Sequence, residues 1–413
     1  MTIFSSLTYL QKQRFAPRQI SNPPSKNLEM VVVIPCFDEP QLLRTLNSLE
    51  ACEKPSKGVE IVIVVNSGEN TLIEKRQNNE KTIQEFEVWK SHKTRQFHYY
   101  LLHFPDLPPK HAGVGLARKI GMDEAVDRLD QAENPEGVII CLDADSMVEK
   151  NHLVEIENLF RMNLNVEACS IFFEHPVSGE EFSPEVYQGI IRYELFLRYY
   201  IEGLRFAGYP HAFHCVGSSM AVRSIAYQKR GGMNRRKAGE DFYFLQKFIA
   251  EGTLAELSTT KVIPSPRASE KVPFGTGRAI KNWLENGEEE YMAYHPQIFK
   301  DLKELIDQVE LLYDPEYQAV FPPSVKGFFE QEPFLEKLVE IRANVTSEKA
   351  FVKRFYGWFD GLKVLKFVHF ARDEFWGELE VEAGAGILAD WLGLGGNEKG
   401  HLGLLGLYRE LET

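Results

Sequence analysis

The sequence predicts an α/β protein with a mixed, mainly parallel sheet flanked by helices, and a helical extension at its C-terminal end. Through the first half of the chain, short apolar runs rich in β-branched residues alternate with segments of helical periodicity. These runs are apolar throughout rather than alternating, which is typical of parallel strands buried on both faces. Beyond about residue 281 the strand signals fade and helical patterns dominate, which predicts the extension.

Four apolar runs predict the parallel part of the sheet, and each is followed by a polar loop and a helical pattern. Parallel neighbours need right-handed crossovers, so their carboxyl ends meet at one edge of the sheet. Ligands of open α/β sheets bind at that edge, which makes the loops after these strands the candidate site. The four runs are residues 30–35, 59–65, 97–102 and 138–142.

The second part of the predicted sheet mixes strands with longer helices. Residues 168–173 and 216–222 predict two further strands, and the second of them is a return strand that opens on small residues. Apolar positions at helical spacing over residues 186–204 predict a long amphipathic helix between them. The predicted organisation is an N-terminal tail over residues 1–28, a catalytic sheet domain over 29–280 and a mainly helical region over 281–413.

The stretch Val-Ile-Ile-Cys-Leu-Asp-Ala-Asp-Ser, residues 138–146, anchors the functional argument. Its strand ends on Asp143 and Asp145, and two carboxylates one residue apart in extended chain point to the same side. Hard divalent cations such as Mg²⁺ and Mn²⁺ prefer oxygen ligands and bind substrate phosphates at the same time. The doublet therefore indicates a metal and diphosphate site. The alternative is a strand-to-helix turn in which Asp145 or Ser146 helps the next helix begin.

Composition argues against several classes of protein. The 413 residues carry a net charge of -13, which disfavours a general electrostatic grip on nucleic acid or on an anionic membrane. The five cysteines lack a spacing typical of metal sites and are expected to be buried thiols of a reducing, cytoplasmic compartment. Without a long apolar segment at the start or a run of about 18 apolar residues elsewhere, we expect neither a signal peptide nor a transmembrane helix.

Four motifs follow one another in a distinctive order. They are Ile34-Pro35-Cys36-Phe37-Asp38-Glu39 after the first strand, Asp143-Ala144-Asp145, Gly217-Ser218-Ser219-Met220-Ala221, and Glu240-Asp241 before a helix. Their order resembles the GT-A-fold glycosyltransferases, family 2 in particular, over residues 30–252. The resemblance implies a Rossmann-like catalytic domain that uses a nucleotide-diphosphate sugar.

The resemblance also implies a role for each motif. The acidic doublet Asp143 and Asp145, a DXD motif, would hold Mn²⁺ or Mg²⁺ on the diphosphate, while Glu240 and Asp241 would supply the catalytic base. The chain departs from the family at Asn66-Ser67, where acidic residues are usual, so the identity of the nucleotide base stays open. The residues implied in binding the nucleotide sugar are Pro35, Phe37, Asp38, Asn66, Asp143, Gly217 and Ser218.

Arg118 is expected to face a phosphate or a base of the donor. Gly113 and Gly115 allow close backbone approach at a helix start, and Arg118 lies one turn into that helix. The segment resembles the family's Ala-Arg segment. A surface cation is the alternative interpretation of Arg118.

Three further cations lie in a loop rich in proline and glycine, residues 265–278. They are Arg267, Lys271 and Arg278. Cations on such a segment of an acidic protein predict a lid that closes over the diphosphate leaving group. A solvated loop without that role is the alternative.

Helical spacing bears on the late acidic pair. Asp241 precedes Phe244, Leu245 and Phe248 by three, four and seven positions, so it is expected to share their apolar face and point inward. In that position Asp241 is the candidate general base, and burial beside apolar side chains would raise its pKa. First-turn carboxylates also stabilise a helix dipole without any chemistry, which is the alternative.

These features predict a metal-assisted glycosyltransferase that moves a sugar from a nucleotide-diphosphate sugar to an acceptor hydroxyl with inversion. The alternatives are a retaining GT-A enzyme, a nucleotidyltransferase and a non-catalytic nucleotide-sugar-binding scaffold. The acceptor is open between a saccharide, a lipid-linked molecule and a small molecule. For the aromatic, amphipathic C-terminal region, docking on the catalytic domain is favoured, and a peripheral membrane contact is the alternative.

Overall fold

The structure is a computed structural model that describes residues 6–287, 290–396 and 398–413. The first five residues of the predicted tail lie outside the described residues, as do residues 288, 289 and 397 of the predicted helical region. The strands are β1 (Leu28–Cys36), β2 (Gly58–Gly68), β3 (His98–Leu107), β4 (Val138–Cys141), β5 (Met147–Val148), β6 (Ala168–Phe173), β7 (Met220–Arg223), β8 (Leu254–Ile263), β9 (Met292–Tyr294) and β10 (Glu378–Glu380).

Helices precede, connect and follow these strands. A 3-10 helix at Leu311–Tyr313 and a π-helix at Arg372–Trp376 interrupt the last part of the chain. The α-helices are α1 (Ser6–Gln13), α2 (Leu42–Glu50), α3 (Ile73–Ser91), α4 (Val114–Gln131), α5 (His152–Met162), α6 (Pro184–Phe206), α7 (Ser224–Lys229), α8 (Glu240–Ile249), α9 (Thr276–Asn286), α10 (Gln297–Ile306), α11 (Pro323–Glu330), α12 (Phe334–Ala343), α13 (Glu348–Trp358), α14 (Gly361–Ala371), α15 (Val381–Trp391) and α16 (Gly400–Leu411).

The central feature of the fold is a mixed sheet with the strand order β3-β2-β1-β4-β7-β6-β8-β5 among the described residues. The first four strands in this order are parallel neighbours, as the apolar runs predict. β7 is antiparallel to both β4 and β6, β8 is parallel to β6, and β5 is antiparallel to β8. The predicted mixed, mainly parallel sheet with flanking helices and a helical extension is confirmed.

Helix α4 packs closely on the parallel half of the sheet. Val33 of β1 and Val64 of β2 are completely buried, and Gly121 of α4 lies against both. A β-carbon at Gly121 would come within 2.4 Å of a methyl group of Val33, so only glycine permits this distance between helix and sheet. Because α4 follows β3 in a crossover, its first turn lies at the carboxyl edge of the parallel strands.

The chain divides into two compact units. The first contains the eight-stranded sheet, and the second contains α6 and the helices from α9 onward. The predicted boundaries at residues 28 and 280 stay predictions. The first unit comprises Met1–Pro176, Cys215–Pro266 and Glu270–Gly275, and the second comprises Val177–His214, Arg267–Ser269 and Thr276–Thr413.

The described part of the segment before β1 is fastened to α4. The hydroxyl of Tyr9 donates a 2.8 Å hydrogen bond to Asp123, and Arg14 and Arg18 both pair with Asp127. These carboxylates are buried, so their pairing avoids the cost of an uncompensated charge inside the protein. The segment is therefore held on a helix that flanks the sheet.

The second unit is built around aromatic side chains. Tyr199, Phe299, Phe351 and Phe367 are completely buried in its core, and Gly203 of α6 leaves room for the ring of Phe299. β9 and β10 form a small antiparallel sheet in this unit. Within the described residues, none of the helices combines the length and the apolar composition that a bilayer crossing requires.

Candidate active site

β4 brings the acidic doublet to the carboxyl edge of the sheet in a turn rather than in extended chain. The strand has ended before the doublet begins, and the amide of Ser146 donates to the carbonyl oxygen of Asp143 at 3.1 Å. This bond between residues three apart closes a β-turn, in which side chains no longer alternate as they do in a strand. The inference that extended chain aims both carboxylates the same way is therefore wrong. Asp143 and Asp145 are both half-buried.

Arg118 joins two segments that are distant in sequence. Its guanidinium pairs with Asp143 and with Glu240, and the residue is only 2% exposed, so Arg118 is not a surface cation. Burial by itself lowers the pKa of Arg118, but the carboxylates of Asp143 and Glu240 more than offset this effect, and the net shift is upward. The buried Nε–H of Arg118 lacks a hydrogen-bond partner within the described part of the chain.

Gly217 lies against this ion pair. A β-carbon at Gly217 would lie 2.4 Å from Nη1 of Arg118, so the guanidinium occupies the space that a side chain would need. Ser218, the residue after Gly217, is buried. The amide of Ser219 donates to the carbonyl oxygen of Val216 at 3.0 Å. This turn delays the return strand, which begins at Met220 rather than at the predicted residue 216.

Helix α8 carries both carboxylates of the late acidic pair. The helix follows Gly239, whose φ of 70° places it in the left-handed region. Glu240 is 2% exposed, whereas Asp241 is half-buried, so Glu240 is the more inward-facing of the two. The reason is that Glu240 precedes Phe244 by four positions and Phe248 by eight, and therefore shares their buried face. The spacing of three, four and seven also predicts an inward-facing Asp241, which the structure leaves half-buried.

The two carboxylates have unusual protonation equilibria. Burial raises the pKa of Glu240 to about 7, although the charge of Arg118 opposes the shift. Burial also raises the pKa of Asp241, against the opposing effects of Arg118 and of the amides of Phe242 and Gly217. An upward shift towards neutral pH suits a carboxylate to proton transfer. Perturbed carboxylates in one cluster are characteristic of catalytic sites and also occur in structural ion-pair networks.

The loop after β1 is fastened to α3, a helix to which the sequence patterns assign no role. Asp38 has a left-handed φ of 52°; its amide donates to Oδ1 of Asn79 at 2.8 Å and its carboxylate accepts from Asn78 at 2.7 Å. Asn79 also donates to the carbonyl oxygen of Asn66 at 3.0 Å. One helix thus fixes the two segments implied in nucleotide binding. An asparagine within a polar helical pattern gives no sequence signal for this role.

Pro35 and Phe37 are the other residues that the resemblance implies near the end of β1. Pro35 belongs to β1 and is paired in register with Val64 of β2. The ammonium group of Lys75 lies 3.6 Å from the carboxylate of Asp38 and 5.7 Å from the ring centre of Phe37. Lys75, like Asn78 and Asn79, is a residue of this region that the sequence motifs do not single out.

The three cations of the predicted lid belong to different units. Nζ of Lys271 lies 3.3 Å from the carboxylate of Glu39 in the first-strand loop. Arg267 and Arg278 belong to the second unit. Arg278 lies in the first turn of α9 rather than in a loop, because that helix already begins at Thr276. Of these three cations, the first unit contains Lys271 and places it beside the loop after β1.

Asp143 and Asp145 are the candidate metal ligands. Among the described residues, no group of three or more His, Cys, Asp or Glu side chains is placed to hold a metal ion. Mg²⁺ at diphosphate sites is typically bound by one or two carboxylates, and substrate phosphates and water complete its shell. The side chain of Asp143 is 38% exposed and Asp145 is half-buried. Two such carboxylates fit a coordination shell that substrate phosphates and water complete.

Comparisons with known proteins give only distant likenesses. No family model matches the chain, and no curated protein matches it. TarS 1-349 from S. aureus is 15% identical with a TM-score of 0.37, over 57% of this chain and 60% of that one. The same fragment in complex with UDP-GlcNAc gives 13% identity and a TM-score of 0.40, over 93% and 90% of the two chains.

Two further solved structures complete the comparison. The mannosyltransferase PcManGT from Pyrobaculum calidifontis, in complex with GDP-Man and Mn²⁺, is 14% identical with a TM-score of 0.37, over 98% of this chain and 92% of that one. A further S. aureus TarS structure is matched over 37% of its chain. At this low similarity the likenesses carry no argument about the activity of this chain.

Proposed function

We propose that the chain is a glycosyltransferase that uses a nucleotide-diphosphate sugar and transfers the sugar with inversion. The observation that supports this proposal best is the meeting of three distant segments on Arg118, which joins Asp143 to Glu240. Asp241 lies beside them on the same helix as Glu240. Ligands of open α/β sheets bind at this carboxyl edge, so the cluster is where a reacting group is expected.

The charges of the cluster affect the binding of the donor diphosphate and of a metal ion. Asp143, Glu240 and Asp241 all act electrostatically on the guanidinium of Arg118. Their excess of negative charge would repel a bare diphosphate. A divalent cation bound with the donor would reverse that repulsion, because it becomes the largest local charge. We therefore propose Mn²⁺ or Mg²⁺ on Asp143 and Asp145, with the donor diphosphate as the other ligand.

The first-strand loop and the end of β2 are the proposed nucleotide site. Phe37 offers a ring face and Asp38 a carboxylate for the ribose or base, while the loop is held by α3 through Asn79. The buried Nε–H of Arg118 supports a ligand oxygen at the sugar-phosphate end, since buried donors without a partner are rare in proteins. Pro35, Asn66, Gly217 and Ser218 are proposed to line the same donor site.

The proposed reaction needs one base and one leaving group. An ionised oxygen of Asp241 takes the proton of the acceptor hydroxyl while the hydroxyl oxygen bonds to the anomeric carbon of the sugar. On the opposite face, the bond between the anomeric carbon and the diphosphate breaks. The amide of Phe242 donates to Oδ1 of Asp241 at 2.8 Å and orients it, and Glu240 positions Arg118. A bound divalent cation would stabilise the charge that develops on the diphosphate. Lys271, with Arg267 and Arg278, is proposed to close over that leaving group.

A screen of nucleotide sugars against the full chain, with and without Mn²⁺ or Mg²⁺, tests the proposal. A donor at 100 times its Kd should raise the free energy of unfolding by about 2.7 kcal/mol, which a thermal-shift assay detects. No stabilisation by any nucleotide sugar would contradict the proposal. Binding without transfer to any acceptor would favour the scaffold alternative, and a nucleotidyl product would favour a nucleotidyltransferase. A cytoplasmic location stays a prediction.

A further inference from the structure

A cavity of about 390 Å³ lies within the second unit, outside the site described above. Aromatic side chains from three elements line it: Phe196 of α6, Trp283 of α9 and Tyr291, which immediately precedes β9. The volume lies in the range of about 300 to 1,000 Å³ that is usual for small-molecule sites. The cavity is therefore large enough to enclose a small polar ring and its substituents.

Packing inside the second unit fixes these aromatic walls. The indole N–H of Trp283 donates to the carbonyl oxygen of Glu185 at 3.0 Å. The indole ring packs against Gly189, where a β-carbon would come within 2.6 Å of it. The ring centre of Tyr291 lies 5.8 Å from that of Phe196. A ligand would thus meet surfaces that are already ordered, which lowers the entropy cost of binding.

Planar polar groups line the same cavity. Asn282 lies on α9 one residue before Trp283, Arg372 comes from the π-helix and Glu378 from β10. Nη1 of Arg372 lies 3.6 Å from Oε1 of Glu378. Asn282 and Glu378 are both exposed. Amide, guanidinium and carboxylate groups each offer two or more hydrogen-bonding positions in one plane. The π-helix is a second indication, because such turns are frequent at functional sites.

We propose that this cavity binds a neutral saccharide unit of the acceptor. A pyranose ring presents C–H groups on its face, which suit the negative face of an aromatic ring, and hydroxyls at its rim, which suit planar polar groups. An apolar ligand would displace water from the exposed amide of Asn282 and carboxylate of Glu378 without replacing the hydrogen bonds of that water. A phosphorylated ligand is disfavoured, because the charge of Arg372 is already balanced by Asp373 and Glu378.

The assignment to the acceptor rests on the proposed function. In sequence, α9 follows residues 270–275 directly, so the helix that carries Asn282 and Trp283 continues the proposed diphosphate lid. A saccharide held on α9 would therefore be linked through the chain to the segment that responds to the donor. This connection favours the acceptor over a glycan unrelated to the reaction.

The first experiment measures saccharide binding to the full chain without any donor, so it does not depend on the proposed function. Neutral di- and trisaccharides and their phosphorylated counterparts are titrated by saturation-transfer NMR and by tryptophan fluorescence. Neutral saccharides should bind, and Glu378→Gln and Asn282→Ala should each weaken binding, the former by about tenfold, as expected for one charge-assisted hydrogen bond. Leu284→Ala is the matched control, because Leu284 is exposed on the same helix and does not line the cavity.

The outcomes separate the two proposals. Absence of saccharide binding, a preference for phosphorylated sugars, or equal weakening by Leu284→Ala would overturn the cavity assignment. Saccharide binding that Glu378→Gln weakens, together with no response to nucleotide sugars, would contradict the glycosyltransferase and leave a saccharide-binding protein. If transfer occurs, Glu378→Gln should raise the KM for the acceptor about tenfold and leave the KM for the donor unchanged. Transfer to an acceptor that does not compete for the cavity would overturn the acceptor role.

Discussion

Gly217 and Arg118 are in such close contact that a β-carbon at position 217 would lie 2.4 Å from Nη1 of the guanidinium. The guanidinium that joins Asp143 to Glu240 therefore lies against bare backbone. Because Arg118 is buried and paired on two sides, it has little freedom to retreat from an added methyl group. The lack of a side chain at position 217 is thus a structural requirement of the cluster.

Gly217→Ala should disturb this cluster. The methyl group displaces the guanidinium from its two carboxylates, and overpacking of this kind typically costs about 1 to 3 kcal/mol. Urea unfolding should show that loss, and titration with a donor should show weaker binding. Gly406→Ala on α16 is the control: a β-carbon there meets open space, so stability should be equal or up to about 1 kcal/mol higher. If Gly217→Ala has the stability and the donor affinity of the wild type, the cluster around Arg118 does not require glycine at position 217.

Asp241→Asn tests the general base. Asparagine keeps the size of the side chain and can still accept the hydrogen bond from the amide of Phe242, but it cannot take a proton at neutral pH. Donor affinity should stay near that of the wild type while turnover falls by at least about 10²-fold. Glu251→Gln changes an exposed carboxylate two residues after the end of α8 and should retain full turnover. Near wild-type turnover in Asp241→Asn, or a product that keeps the anomeric configuration of the donor, would favour the retaining alternative.

Glu240→Gln should change how stability depends on pH. Burial raises the pKa of Glu240 from 4.5 to about 7, so between these values the folded protein binds more protons than the unfolded chain. Stability from this group is therefore full below pH 4.5 and declines as the pH rises to about 7. Glutamine does not titrate, and the decline of the unfolding free energy over this window should become smaller. An unchanged pH profile, measured by urea unfolding, would show that Glu240 titrates normally.

Asp145→Ala tests the metal site. If Asp145 holds a divalent cation on the donor diphosphate, the variant should fold normally and lose the part of donor binding that depends on Mn²⁺ or Mg²⁺. Calorimetric titration of the donor with metal and with a chelator measures that part directly. Donor binding that is strong, metal-dependent and equal to the wild type would place the cation elsewhere.

Closure of residues 265–278 should follow donor binding. Lys271 already pairs with Glu39 in the loop after β1, and a diphosphate would give the cations of this segment a stronger partner. Trypsin should therefore cleave after Arg267, Lys271 and Arg278 more slowly when donor and metal are present. Cleavage after Lys93, in an exposed turn before β3, is the internal control. Equal cleavage with and without ligand would remove this segment from the mechanism.

The parts of the fold that the sequence predicts are those with a local signal. Val33 and Val64 lie in continuous apolar runs, and such runs are sufficient to locate buried parallel strands. The acidic doublet is also correctly placed at the end of a strand. The sequence offers a turn here only as the alternative, because the hydrogen bond between Ser146 and Asp143 depends on how the backbone leaves the sheet.

The candidate site is harder to predict because its contacts join distant segments. Arg118 and Glu240 are 122 positions apart, and nothing in the sequence indicates that they pair. Asn79 is buried and makes two hydrogen bonds, yet it lies in a polar helix without an informative period. The aromatic walls of the second-unit cavity likewise come from separate elements, and only tertiary packing brings them together.

Asn79 connects the loop after β1 to the end of β2 through a single side chain. Its oxygen accepts from the amide of Asp38, and its nitrogen donates to the carbonyl oxygen of Asn66. A fluctuation that unwinds the middle of α3 must therefore release both segments together. If the proposed nucleotide binds these segments, it slows that unwinding, because it binds the form in which both hydrogen bonds are made. On that proposal, affinity for the nucleotide and amide hydrogen exchange in α3 are linked quantities, coupled through one asparagine.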